Sequence, residues 1–148
     1  MMRKCMIGVV SLLILGSVSL WGQYNYVNDP ASLVGVSLPD LIAMFGAPLS
    51  VHVTRGPNTW QDDVVFAYGD WEFYVYGNRV WQISLKAAYG IKIGDRRETI
   101  PLVLGNDIQV YDAFILQTYS NRSWPITIRF NIDQYGLVTA IFIYRPDL

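Results

Sequence analysis

The side chains able to do chemistry are few, and none stands in a constellation that catalysis or metal binding requires. His52 is the single histidine of the chain, and in a strand phase of Ser50, His52 and Thr54 it points away from Val51 and Val53. One imidazole without cysteine partners cannot supply the usual zinc ligand set, and no nucleophile and acid mark themselves as the rest of a triad. An exposed strand histidine is therefore expected. The acidic pairs Asp62-Asp63 and Asp95 with Glu98 are the remaining candidates for acid-base work. Asp62-Asp63 follows Asn58-Thr59-Trp60-Gln61, which reads as a polar hairpin tip, and adjacent strand residues face opposite sides of a sheet. Asp95 and Glu98 are spaced to cap a helix. Acid-base catalysis needs positioned groups with tuned pKa values, and neither pair promises them. No Gly-x-x-x-x-Gly-Lys, Gly-x-Gly-x-x-Gly or Gly-x-Ser-x-Gly occurs. The expectation is a non-enzyme without cofactor or metal.

The chemistry that remains is that of contact. Tyr74 and Tyr76 alternate with Trp71 and Phe73, so one pair must lie on the less buried face of a sheet. Rows of aromatics beside an arginine are what protein-binding surfaces use, because such side chains bury large area at small entropic cost. Arg129, Asn131 and Gln82 join Tyr74 and Tyr76 on that face if the strands pair as their patterns suggest. These five form the candidate protein-binding set. The bland alternative is that the tyrosines close over a sandwich or dimer core, since aromatics are common on sheets anyway.

The elements that must position these residues are legible from periodicity. Trp71 to Tyr76 alternates strictly, Gly77-Asn78 offers the positive φ of a tight hairpin, and Trp81, Ile83 and Leu85 return along one face. Ile126, Ile128, Phe130 and Ile132 alternate with Thr127, Arg129 and Asn131, and Asp133 to Gly136 makes a turn. Leu137 to Tyr144 is apolar on both faces, which suits a central or covered strand. Val51 to Val53 and Val64 to Tyr68 are further strand candidates. Ser37 caps a short helix with Asp40 completing a capping box, and Gly46 followed by Pro48 ends it. Asp95 and Glu98 take the similar role before Ile100, Val103 and Leu104, although Pro101 shortens or distorts that helix.

Met2-Arg3-Lys4, the apolar run Met6 to Leu15 and the small residues from Gly16 to Gly22 follow the pattern of a secretory signal peptide. Cleavage after Ser19 and after Gly22 are both open, and an uncleaved segment is the only expected membrane contact. Cys5, the single cysteine, precedes the apolar run, so it neither serves as a standard lipoprotein acceptor nor survives cleavage. The mature chain then has no disulfide and no thiolate site. Removing Arg3 and Lys4 leaves nine basic against twelve acidic residues, a net charge of −3, which excludes a nucleic-acid-tracking surface. Asn121-Arg122-Ser123 fits a glycosylation sequon, relevant only in a eukaryotic pathway, whereas the signal reads as bacterial.

The mature sequence also resembles itself at a shift of 59 residues: Val34-Gly35 falls on Ile93-Gly94, Leu41 on Ile100, Phe45-Gly46 on Leu104-Gly105 and Tyr76-Gly77 on Tyr135-Gly136. The expected organisation is a signal peptide over 1–22, an N-terminal linker over 23–33, one unit over 34–88 and a second over 89–148, the two sharing a core. The fold class read from this is α+β: two tandem helix-plus-antiparallel-hairpin units forming an antiparallel sheet with short helices on one face.

That unit, apolar-Gly, a capped short helix ending Leu/Phe-Gly, and a hairpin with a Gly turn followed by Val-x-x-Ile, resembles the SmpA/OmlA repeat of outer-membrane assembly lipoproteins. Its tandem arrangement resembles that of β-lactamase inhibitory proteins. Val34 to Ala47 with Tyr74 to Leu85, and Ile93 to Asn106 with Ile128 to Ile143, carry the likeness. The chain departs from the lipoproteins in lacking their acylated cysteine and in having two units, and from the inhibitory proteins in lacking disulfides. The resemblance implies an exported, non-enzymatic protein of the bacterial envelope, periplasmic or secreted, that binds another envelope or secreted protein as adaptor, accessory or inhibitor. The rival expectation is a periplasmic carrier or sensor of a small apolar ligand, with a pocket lined by Trp71, Phe73 and Trp81.

Overall fold

The computed structural model describes residues 28–55, 62–119 and 123–147. The signal segment, the Asn58 to Gln61 tip and Asn121-Arg122 of the sequon lie outside the described residues. A 3-10 turn, Pro30–Leu33, leads into helix α1, Leu38–Phe45, and four strands follow: β1, Ser50–Arg55; β2, Asp62–Tyr68; β3, Trp71–Tyr76; and β4, Arg79–Leu85. A two-residue ribbon of β5, Ala87–Ala88, and β6, Ile91–Lys92, precedes helix α2, Thr99–Leu104. The chain ends with β7, Gln109–Val110; β8, Phe114–Tyr119; β9, Ile126–Ile132; and β10, Val138–Tyr144.

Eight strands form one antiparallel sheet in the order β1-β2-β3-β4-β10-β9-β8-β7. This overturns the expected α+β arrangement of two helix-plus-hairpin units. The last strands of the two halves, β4 and β10, pair directly with Ile83 opposite Ile143, so the hairpins fuse into a sheet that dominates the fold. The helices are minor by comparison, eight and six residues long, with only Leu41 and Ile100 respectively buried. Composition explains the outcome, because Val, Ile, Tyr and Trp gain most on a pleated, half-buried surface. A six-residue helix gains little from propensity alone.

One face of the sheet is packed. Phe66, Phe73, Ile83, Ile143, Ile128 and Gln117 lie in one cross-strand row, and Phe73, Ile83, Ile143 and Ile128 in it are fully buried. Over this face sit the 3-10 turn, α1, α2 and the β5-β6 ribbon, which contribute Ala31, Leu33, Leu41, Ile100 and Ile91 to a single core cluster. Segment 23–33, read as a linker, is thus folded into the core where it is described, with Ala31 and Leu33 fully buried. Phe45 fills the end of α1 against Tyr68, Trp71 and Phe73 at ring separations of 5.5, 6.1 and 5.1 Å.

The start of α1 follows its sequence signature: Ser37 Oγ accepts from the Asp40 N–H at 3.3 Å and donates to Asp40 Oδ2. The start of α2 does not. It begins at Thr99, the preceding Glu98 makes no side-chain cap bond, and Asp95 Oδ2 instead accepts from the Lys92 N–H at 2.9 Å. Pro101 therefore falls in the first turn, where its missing N–H costs nothing. Two glycines carry one backbone device. Gly35 and Gly94 have φ of +92° and +91°, and their N–H groups donate at 2.7 Å to the carbonyls of Val80 and Val138, the starts of the two pairing strands.

Candidate functional site

Among the described residues, the face opposite the core carries neither helix nor ribbon. Across it run His52, Val65, Tyr74, Gln82, Tyr144, Thr127 and Thr118 in one row. The neighbouring row holds Ala67, Glu72, Ser84, Phe142, Arg129 and Leu116. Most are half-buried by their neighbours, as expected for an open sheet face.

A bulge decides what this face presents. Between Tyr74 and Val75 the register of β3 against β4 shifts, so Tyr74 pairs with Gln82 but Val75 with Val80. One extra residue in a strand places two successive side chains on the same side. Trp81 consequently joins Gln82 on the open face. Its indole N–H donates to Asp63 Oδ1 at 3.0 Å, and its ring meets Tyr74 edge-on at 6.5 Å. The expectation that Trp81 shares a face with Ile83 and Leu85 is corrected by this bulge. So is the pocket lined by Trp71, Phe73 and Trp81: Trp71 stacks on the fully buried Phe73 inside the core at 5.9 Å, on the far side of the sheet from Trp81.

Near the centre of the open face lies a shallow hollow of about 650 Å³, lined by Trp81, Gln82, Arg129, Asn131, Phe142, Tyr144, Arg145 and Pro146. The sheet order makes it: β4, β10 and β9 are neighbours, which brings Gln82 within the same concavity as Arg129 and Asn131. Of the five residues singled out from sequence, these three converge. Tyr74 flanks them through its contact with Trp81, and burial pushes its phenol above the usual range, aided by the negative charges of Glu72 and Asp63. Tyr76 stands apart at the end of β3, 61% exposed.

Two arginines line the hollow, and of them Arg129 stands in the open-face row. Arg129 Nε donates to Asn131 Oδ1 at 2.7 Å, and its guanidinium lies 4.3 Å over the Phe114 ring. Among the described residues no carboxylate pairs with it, and its two terminal nitrogens carry no hydrogen bond. Arg145 differs, being tied to Asp147 through Nε and Nη2 at 3.1 and 2.7 Å and lying 4.9 Å over Trp124. Phe142, Tyr144 and Arg145 escaped sequence reasoning, although the two-sided apolar pattern of the last strand was the signal that something covers or meets its second face.

The other candidate groups are not brought together. His52 is exposed on edge strand β1, and Asp63 is engaged by Trp81. Among the described residues no group of three or more His, Cys, Asp or Glu side chains could hold a metal ion. Among the same residues no helix is long and apolar enough to cross a membrane.

No protein-family model and no curated protein matches the sequence. Among solved structures, the fold is similar to that of an extracellular protein containing a SCP domain from Bacillus anthracis, with a TM-score of 0.52 and 10% identity over 99% of this chain. The chain spans 50% of that protein's length. A DUF4309 family protein from Bacillus subtilis matches with a TM-score of 0.44 and 15% identity, over 74% of this chain and 78% of its own. Neither description is of an outer-membrane assembly lipoprotein or a β-lactamase inhibitory protein.

Proposed function

We propose that this chain is an exported, non-enzymatic binding domain of the bacterial cell envelope, which docks another envelope or secreted protein on the open face of its sheet. The observation that carries this reading is the asymmetry of the sheet. Among the described residues every helix and ribbon packs on one face, while the other presents Trp81, Phe142 and Tyr144 around a hollow edged by Arg129 and Arg145. Aromatic and arginine side chains set in a concavity are the composition that dominates binding energy at protein interfaces. Export is supported by the signal-like first 22 residues and by the extracellular description of the protein whose fold is similar. The repeated Gly35 and Gly94 devices support an origin by duplication of a four-stranded half.

The test is capture from envelope extract by the mature chain, compared with two variants. Trp81→Ser with Tyr144→Ser should release the captured protein. Leu102→Ser, at an 85% exposed position on α2, should retain it. Equal capture by both variants would remove the open face from consideration.

A further inference from the structure

We infer that the hollow is a recognition site for a single carboxylate carried by an apolar segment of a partner protein, with Arg129 as the anion-binding group. The inference rests on the reading of the open face as a docking surface and adds the chemistry of the occupant. The guanidinium of Arg129 is already held in place. Asn131 Oδ1 takes its Nε–H at 2.7 Å, and the Phe114 ring supports its plane at 4.3 Å. Such anchoring leaves the two terminal nitrogens as a preformed fork of the kind that matches a carboxylate's two oxygens.

Charge within the lining favours a ligand of low valence. Of the two arginines in the lining, Arg145 turns its guanidinium to Trp124 and to Asp147, which neutralises it through two hydrogen bonds. Arg129 is then the one unpaired charge of the lining, and with Glu72 and Asp63 on the same face beside Tyr74 it suits a monoanion better than a phosphate carrying nearly two negative charges. The rest of the lining states what the carboxylate is attached to. Trp81, Phe142, Tyr144 and Pro146 supply apolar surface, and the side-chain amides of Gln82 and Asn131 can meet the carbonyls of an extended peptide. An acidic residue flanked by apolar ones satisfies all three requirements.

The probe is a capped tripeptide, acetyl-Leu-Glu-Leu-amide, titrated into the mature chain at low ionic strength while the Arg129 Nε–H and Trp81 indole N–H resonances are followed. Both should shift saturably, and acetyl-Leu-Gln-Leu-amide should bind at least about tenfold more weakly, the usual worth of a charge-assisted hydrogen bond. Binding of the Glu peptide should weaken as salt is raised. Arg129→Gln should abolish the preference for Glu over Gln, and Arg129→Lys should keep the salt dependence while losing affinity several-fold, because it retains the charge but not the fork. If Arg129→Gln does not fold, the Glu-over-Gln preference and salt dependence of the unaltered chain still decide the matter.

Equal affinity for the two peptides, with shifts confined to Trp81, overturns the carboxylate and leaves the docking face standing. Shifts at neither residue, together with capture unaffected by Trp81→Ser/Tyr144→Ser, overturn both. A peptide with phosphoserine in place of Glu that binds more tightly, or Arg129 shifts that depend on protein concentration alone, overturns the proposal in favour of a phosphorylated partner or a second copy.

Discussion

Gly35 and Gly94 share a backbone conformation but not an environment, and that difference yields a quantitative prediction. Both sit at φ near +90°, where an L side chain costs about 1–2 kcal/mol against the left-handed backbone. At Gly94 a Cβ would meet nothing within 4 Å, whereas at Gly35 it would run into the Trp124 ring, with Cη2 at 3.0 Å and Cζ2 nearer still. Trp124 cannot yield freely, since it packs against the core and stacks on Arg145. Overpacking of that kind adds about 1–3 kcal/mol. Gly94→Ala should therefore destabilise by about 1–2 kcal/mol and Gly35→Ala by about 2–5 kcal/mol. Urea unfolding of the two variants, with Trp124→Leu completing a double-mutant cycle at Gly35, measures both quantities. A coupling of about 1–3 kcal/mol between positions 35 and 124 is expected, and none between 94 and 124. Equal losses at the two glycines, or additivity at Gly35, would refute the reasoning.

Further outcomes follow from the packing. Phe73→Ala, which empties a fully buried position under Phe45, Tyr68 and Trp71, should cost about 3–5 kcal/mol in the same unfolding assay. Ser37→Ala, which removes the only cap on α1 that a side chain provides among the described residues, should cost about 1 kcal/mol. Tyr74→Ser and Tyr76→Ser should separate: Tyr76 is 61% exposed, so its loss should stay within about 0.5 kcal/mol. Tyr74 braces Trp81 and borders the fully buried Val65, so its loss should be the larger in thermal melts. Burial and the charge of Asp29 raise the Tyr89 hydroxyl well above its ordinary value of 10.0. Its folded pKa exceeds its unfolded one, so its contribution is whole below pH 10 and is lost as pH climbs from there toward the folded value. A pH series of melts should show this alkaline loss, and Tyr89→Phe should blunt it.

Much of the sheet was legible because its strands obey period two. β3, β9 and the Gly77-Asn78 turn stand where alternation and positive φ place them, with Gly77 and Asn78 at +54° and +63°. What could not be read has local causes. The bulge opposite Tyr74 depends on the fit of β3 to β4 rather than on either strand's own pattern, and it moved Trp81 from the presumed core to the open face. Strand β8 was hidden by Gln117, a polar residue at a buried position, which is tolerated because its amide donates to the Leu104 carbonyl at the end of α2 at 3.3 Å. The union of the halves through β4 and β10 is a long-range pairing with no sequence signature, so local patterns point to an α+β sheet built from helix-plus-hairpin units rather than to a fold that the sheet dominates. The site was partly visible for the converse reason. Gln82, Arg129 and Asn131 hold their phase on their own strands, and adjacency of β4, β10 and β9 then gathers them.

The open face as the docking surface is tested most directly by a photo-cross-linking residue placed in turn at Tyr144, in the hollow, and at Leu102, on the helix-covered side. Irradiation of cells exporting the chain should give a discrete cross-linked protein from Tyr144 and none from Leu102. A cross-link from Leu102 alone, or from neither position, would contradict the account.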